Sequence, residues 1–139
     1  MKRILFVCTG NTCRSPMAEC LFNAAQTGHR AMSAGVYALS GAPASPGAQR
    51  AMQKRGLSLE KHKSRSVTLT LLEMFDLIVG MTDTHIMQLK MMYPQCRTPM
   101  TVFDDPPVSD PYGGDDAAYE RAAQDIERQL PALLAQLDE

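Results

Sequence analysis

Cys8 is followed, after five residues, by Arg14 and Ser15, in the run Cys8-Thr9-Gly10-Asn11-Thr12-Cys13-Arg14-Ser15. Each residue type in that run has a use if the ligand is a phosphoryl group. A loop of this length can curl so that successive backbone N–H groups face one point. Gly10 permits backbone angles that other residues resist, and Asn11 tolerates a left-handed conformation while its side chain pins the loop. Arg14 presents a planar fork that binds two phosphoryl oxygens at once. A helix starting near Ser15 adds its positive end. The same groups favour the thiolate of Cys8, the form that attacks phosphorus. Ser15 Oγ either donates to that sulfur or caps the helix, and both readings stand. The expected phosphate-binding set is Thr9, Gly10, Asn11, Thr12, Cys13, Arg14 and Ser15.

Blander readings compete. Cysteine is often a buried strand-end residue and arginine an ordinary surface one, but the glycine, the serine and the setting between a strand and a helix weigh against that. Zinc would need four ligands, and no second Cys or His pair stands at metal-ligand spacing beside Cys8 and Cys13, so no metal is expected. A nucleotide-binding loop of the Walker type is excluded because its Gly-Lys-Ser/Thr ending is missing.

The elements around this run set its position. Ile4-Leu5-Phe6-Val7 is a continuous apolar run suited to a strand buried on both faces. Ser15 as N-cap and Pro16 at the first helical position open a helix that Gly28 can end. Ala31 to Val36 reads as a second strand, Gly41 to Pro46 as a turn-rich loop, and Pro46 to Arg55 as a second helix. A helical segment is expected over Ser66 to Phe75, a third strand over Asp76 to Met81, a helix over Thr82 to Met92 and a fourth strand over Met100 to Phe103. Asp104 to Gly114 is a polar loop carrying Pro106, Pro107 and Pro111. Asp115 to Leu137 is a long amphipathic helix, interrupted or bent near Pro131, with Ala118, Ala122, Ile126, Leu130 and Leu133 on its buried face. Strands alternating with helices imply an α/β fold, a four-stranded parallel sheet covered by helices on both faces, with the phosphate-binding loop after strand 1. Ligands of such sheets bind at the carboxyl ends of the strands, where Cys8 falls.

The 139 residues fit one domain, expected over 1–139. A net charge of −1 argues against nucleic acid and against an anionic membrane surface. No apolar run is long enough to span a bilayer, and Lys2-Arg3 before Ile4 to Val7 is too short for a signal peptide. Of four cysteines, Cys8, Cys13 and Cys20 crowd the start of the chain and Cys96 stands apart. That spacing does not staple distant segments, so reduced thiols in a cytoplasmic protein are expected. A monomer is expected.

Val7 to Glu19, Val-Cys-Thr-Gly-Asn-Thr-Cys-Arg-Ser-Pro-Met-Ala-Glu, resembles the signature of the low-molecular-weight protein tyrosine phosphatases, as do Ser33-Ala34-Gly35 and the late Asp110-Pro111-Tyr112. The resemblance runs through the whole chain. It implies Cys8 as nucleophile, Arg14 as phosphate clamp and Asp110 as general acid, acting on phosphorylated proteins through a phosphocysteine without a cofactor. A loop carboxylic acid is chemically apt, since the leaving atom must be protonated and water then activated. Asp104, Asp105, Asp115 and Asp116 are placed as well as Asp110 by sequence alone, and only the Asp-Pro-Tyr match selects Asp110.

Eukaryotic members of that family often carry apolar residues where this chain has Thr9 and Thr12. The Cys-Thr-Gly-Asn-Thr-Cys pattern, with Asp-Pro-Tyr-Gly-Gly later, resembles the bacterial protein-arginine phosphatases of the same family. A β-branched Thr12 would narrow the mouth for a slender guanidinium, and Asp110 would pair with that cation. Tyr112 stacks equally on a guanidinium or a tyrosine ring. Phosphoarginine is therefore favoured over phosphotyrosine as substrate, with Thr12 and Tyr112 as specificity residues. Arsenate reductases share the loop but need more relay cysteines. A non-catalytic phosphate-binding or phospho-carrier module is the alternative of another class. Cys13 either forms a protective disulfide with Cys8 or fills space under the loop. His29, His62 and His85 have no evident partner and read as surface or structural residues, although the place of His85 after the third strand could bring it to the border of the site. Lys61 to Arg65 reads as a solvated loop.

Overall fold

The structure is a computed structural model that describes residues 1–139. Strands β1 (Arg3–Cys8), β2 (Arg30–Gly35), β3 (Leu77–Gly80) and β4 (Met100–Val102) form one sheet in the order β2-β1-β3-β4. All three pairings are parallel, with Cys8 opposite Gly35 and Val7 opposite Gly80. Five helices connect or follow them: α1 (Arg14–Ala24), α2 (Pro46–Gln53), α3 (Leu69–Leu72), α4 (Asp83–Met92) and α5 (Asp116–Leu137). The chain leaves β1 toward β2 on one side and returns to β3 on the other. The crevice at such a reversal is where open parallel sheets hold ligands.

Alternation along β1 divides the core in two. Ile4, Phe6 and Cys8 belong to a cluster with Met17, Phe22, Met52, Tyr119 and Ile126, which come from α1, α2 and α5. Leu5 and Val7 belong to a second cluster with Leu72, Phe75, Ile86 and Leu89, which come from α3, α4 and the turn between α3 and β3. Phe6 meets Phe22 edge-on at 5.8 Å and Phe103 at 5.9 Å between ring centroids. The expected α/β architecture with helices on both faces is present.

Several boundaries differ from expectation for identifiable reasons. The first helix starts at Arg14 with Cys13 as N-cap, so Ser15 does not cap it and Pro16 is its third residue. Pro16 costs nothing there, because the first intrahelical donor is Met17 N, bonded to Cys13 O at 3.3 Å. The helix ends at Ala24 rather than Gly28, because the Asn23 side chain pairs with both backbone groups of Ala31, at 2.9 and 3.0 Å. The segment 66–75 is helical only over Leu69–Leu72, capped by Thr68. Ahead of it Ser66 bridges to Gly35 and Val67 N bonds Gly35 O, so this stretch extends the edge of β2 instead. The last helix runs uninterrupted through the exposed Pro131. Ala118 and Leu130 are only partly buried; Tyr119, Ala123 and Leu137 complete the face.

Helix α2 meets α5 where Gly47 lies flat against the Tyr119 ring, and a Cβ at Gly47 would overlap ring carbons. Gly47→Ala should therefore destabilise the fold by about 1–3 kcal/mol through forced displacement of the ring. Urea unfolding of the two proteins would measure it.

Candidate active site

The segment 9–13 is curled so that its carbonyls face outward and its amides inward. Cys8 O accepts from Val36 N at 2.9 Å and Thr9 O from Tyr37 N at 3.0 Å. Asn11 O accepts from His62 Nε2 at 2.7 Å, and Thr12 O from Ser45 N at 2.9 Å and Ser45 Oγ at 3.1 Å. No backbone carbonyl accepts from the N–H groups of Gly10, Asn11, Thr12 or Cys13. Those donors form a concave positive surface at the N-terminus of α1, the arrangement that binds an oxyanion.

Asn11 holds the curl. It is fully buried at φ 57°, in the left-handed region. Its Oδ1 accepts from Arg65 N at 3.0 Å and its Nδ2 donates to Ser15 Oγ at 2.9 Å. Ser15 Oγ lies 2.9 Å from Cys8 Sγ. Because the Asn11 amide occupies the serine oxygen as donor, the serine hydroxyl proton is free to point at the sulfur. Of the two roles open to Ser15 from sequence, the bond to Cys8 is the one present. Gly35 makes the close approach possible: a Cβ there would collide with Thr9 O and stand 3.0 Å from Asn11 N.

Cys8, Thr9, Gly10, Thr12, Cys13 and Arg14 line one pocket of about 260 Å³, closed from the opposite side by Asp110 and Tyr112. The Arg14 side chain is buried, with Nη1 donating to Val108 O at 3.2 Å and Nη2 3.7 Å from Asp110 Oδ2. Asp110 is itself 59% exposed and accepts from Tyr112 N at 3.1 Å. The rival carboxylates go elsewhere: Asp115 caps α5, Asp116 pairs with Arg50, and Asp104 and Asp105 are outside the pocket wall. Asn11 and Ser15 stand behind the lining rather than in it. Cys13 is buried with its sulfur 3.2 Å from Ser45 Oγ and 3.6 Å from Tyr119 Oη.

The histidines have partners that the sequence concealed. His62 supports the loop as described, and His29 joins Lys2 N (2.9 Å) to Asp138 (2.9 Å), tying the chain ends together. His85 is buried at the N-terminus of α4, 3.0 Å from Thr9 Oγ1. Beside its place after β3, a further sequence signal was Thr82 three residues earlier, the spacing of a reciprocal helix cap. The run 61–65 is solvated only at Lys61 and Lys63, since His62, Ser64 and Arg65 bond inward to Asn11, Leu39 and Ser33. Cys20 is half-buried, and burial beside Glu19 pushes its thiol pKa up.

A thiol at the base of an amide-lined cradle, with a buried arginine and a facing carboxylate at the carboxyl edge of a parallel sheet, defines a cysteine-dependent phosphatase of the phosphate-loop class. Residues 3–139 match the family described as "Low molecular weight phosphotyrosine protein phosphatase", and the chain belongs to that family. It is 36% identical to the low molecular weight protein-tyrosine-phosphatase Etp of Escherichia coli K12 over 129 residues, covering 90% of this chain and 87% of Etp. It is 34% identical to the protein-arginine-phosphatase of Bacillus subtilis 168 over 144 residues, covering 96% and 95%. Among solved structures, the YwlE arginine phosphatase of Geobacillus stearothermophilus superposes with a TM-score of 0.92 at 30% identity, over 99% of this chain and 94% of that one. The tyrosine phosphatase Wzb of Escherichia coli K30, in complex with sulphate, superposes at 0.91 with 32% identity over 99% of each chain.

Burial, and then the nearby Arg14 charge, lower the His85 pKa from its ordinary 6.5 to about 4, against a smaller opposing pull from Asp110. The unfolded chain takes up this proton below about pH 6.5 and the folded chain only below about 4. The neutral imidazole's contribution is thus complete above the first value and is lost as pH falls toward the second, on the order of 2–3 kcal/mol. Asp116 and Glu120, whose pKa values are held down by Arg50 and Arg55, act at lower pH. Urea unfolding between pH 7.5 and 4.5 should show falling stability, with a shallower fall in His85→Asn.

Proposed function

We propose that the chain hydrolyses phosphoarginine in phosphorylated proteins, with Cys8 as nucleophile, Arg14 as phosphoryl clamp and Asp110 as general acid and base. The loop amides from Thr9 to Ser15 and the Arg14 guanidinium hold the phosphoryl oxygens. Cys8 Sγ attacks phosphorus as the phosphorus–nitrogen bond breaks, and the Asp110 carboxylic acid protonates the departing nitrogen. The resulting Asp110 carboxylate takes a proton from water. The water oxygen attacks phosphorus, the sulfur–phosphorus bond breaks, and inorganic phosphate leaves with the Cys8 thiolate restored. Ser15 donates to that thiolate.

The observation that carries the arginine reading is the pocket wall: where the loop meets the mouth, its side chains are Thr9 and Thr12, both hydroxyl-bearing, opposite the Asp110 carboxylate. A guanidinium is a slender cation with several donors, and such a wall offers it acceptors and a counter-charge. Phosphotyrosine is the second reading; Tyr112, whose 77% exposed ring lines the pocket, can stack on a tyrosine ring as well as on a guanidinium. Both kinds of phosphatase occur among relatives of similar identity. A phosphate-binding or phospho-carrier module without turnover is the remaining alternative. The Ser45 and Tyr119 contacts favour a packing role for the Cys13 thiol over disulfide exchange with Cys8. The protein is proposed to act as a monomer in the cytoplasm, without a cofactor.

Phosphate release from matched phosphoarginine and phosphotyrosine peptides tests this. Wild type should turn over phosphoarginine faster, Cys8→Ser should turn over neither while still binding phosphate, and Thr12→Ala, which removes both the β-branch and the hydroxyl, should shift the ratio toward phosphotyrosine by about tenfold. Faster wild-type turnover of phosphotyrosine would reject the arginine reading. No turnover of either in reducing buffer would leave the binding module standing.

A further inference from the structure

The sheet order places β3 beside β1, so the first turn of α4 comes to rest against the phosphate loop. His85, in that turn, is 3% exposed and is fixed at both ring nitrogens. Nδ1 accepts from Thr82 N at 3.2 Å. Thr82 Oγ1 is also 3.1 Å from Nδ1. A backbone N–H only donates and the threonine hydroxyl has a proton to offer, so Nδ1 carries the lone pair and the single proton of the neutral ring is on Nε2. Nε2 lies 3.0 Å from Thr9 Oγ1 and donates to it. The Thr9 hydroxyl, already accepting from a nitrogen that has its proton, must direct its own proton elsewhere. Thr9 forms part of the wall of the Cys8 pocket and is exposed there. His62 and His29 differ: the first donates to an outward-facing carbonyl and the second bridges the chain ends.

We propose that His85 is a positioning residue for the phosphoryl chemistry: as a neutral Nε2–H donor it fixes the Thr9 side chain and commits the Thr9 hydroxyl to donate to an oxygen of the phosphoryl group in the pocket. The inference rests on the phosphatase reading and deepens it. An imidazole with its proton on Nδ1 would invert the arrangement. Thr9 would then donate to the ring, and its oxygen would present lone pairs to the anion. The reciprocal cap at Thr82 therefore does more than end a helix. It selects the tautomer that makes Thr9 complementary to an oxyanion.

Two substitutions separate the halves of the imidazole. His85→Asn keeps an acceptor near Nδ1 for Thr82 and removes the donor to Thr9. His85→Gln can return an amide N–H near the Nε2 position. On whichever phosphorylated peptide the wild type turns over, His85→Asn should lose about tenfold in kcat/KM, the scale of one hydrogen bond made in the transition state, and His85→Gln should recover most of it. Thr9→Val should lose a similar factor, and the double variant Thr9→Val/His85→Asn should be no worse than either single one. Additive losses, or equal activity in the Asn and Gln variants, would overturn the proposal, because a purely structural role moves both alike.

A second measurement does not depend on turnover. In Cys8→Ser protein labelled with nitrogen-15 at histidine, the His85 Nε2 resonance should report a protonated nitrogen and should move when inorganic phosphate binds. That movement should vanish in Cys8→Ser/Thr9→Val. A resonance that ignores phosphate would overturn the link even if the enzyme hydrolyses its peptides. A resonance that responds while the wild type hydrolyses neither peptide would sustain the link and reject the phosphatase reading.

Discussion

Outward carbonyls and inward amides are the condition on which the site rests. Left alone, a peptide loop would satisfy its N–H groups internally, and each outward carbonyl would need water or a partner. Here the carbonyls of Cys8, Thr9, Asn11 and Thr12 are met by donors from three other segments of the chain: Val36 and Tyr37, His62, and Ser45. With their carbonyls held this way, the amides of Gly10 to Cys13 are left without a backbone acceptor and are fixed in place before any anion arrives. Such preorganisation is what gives fixed dipoles their strength in a site, because no reorganisation is required when charge appears.

That arrangement explains the unusual care taken in burying polar groups behind the loop. Asn11 and Ser15 have no exposed surface, yet the amide of Asn11 and the hydroxyl of Ser15 have partners within 3.0 Å. A half-satisfied network in that position would be worse than an apolar one. The two faces of the sheet contribute differently. The face with α1, α2 and α5 supplies the packing against which Cys13 and Tyr119 settle. The face with α4 delivers a polar group, His85, to the loop's other flank.

The strand–loop–helix setting of Cys8 and Arg14 was legible because it is local: a short apolar run, a loop with Gly10 and Asn11, then a helical stripe. The sheet and its layers followed from alternation of elements. What sequence reasoning missed is almost all non-local. The two roles of the Ser15 hydroxyl could not be separated in the sequence, because serine before proline often caps a helix, whereas its other partner, Cys8 Sγ, is brought to it by the curl itself. The extended stretch at 66–67 was read as helix because its bonds are made to Gly35, over thirty residues away. His62 and Ser45 carry no mark of their duty, since they are joined to the loop through its carbonyls, which every residue possesses. Asp110 was separable from its neighbours by motif alone; the structure separates it by placing the others outside the pocket.

Asp110 stands apart from all of this in one respect. Its side chain is more than half exposed, and no hydrogen bond of the loop passes through it. The cradle and the carboxylate that faces it thus meet only through Arg14, whose guanidinium bonds Val108 O and stands 3.7 Å from Asp110; one part is locked into the sheet edge and the other is carried on a surface segment. On the chemistry proposed above, a change at position 110 would remove the proton shuttle and spare the capture. The distance between an enzyme that erases a phosphoryl mark and a protein that merely reads it is then a single codon, and divergence from one to the other need not pass through an unstable intermediate.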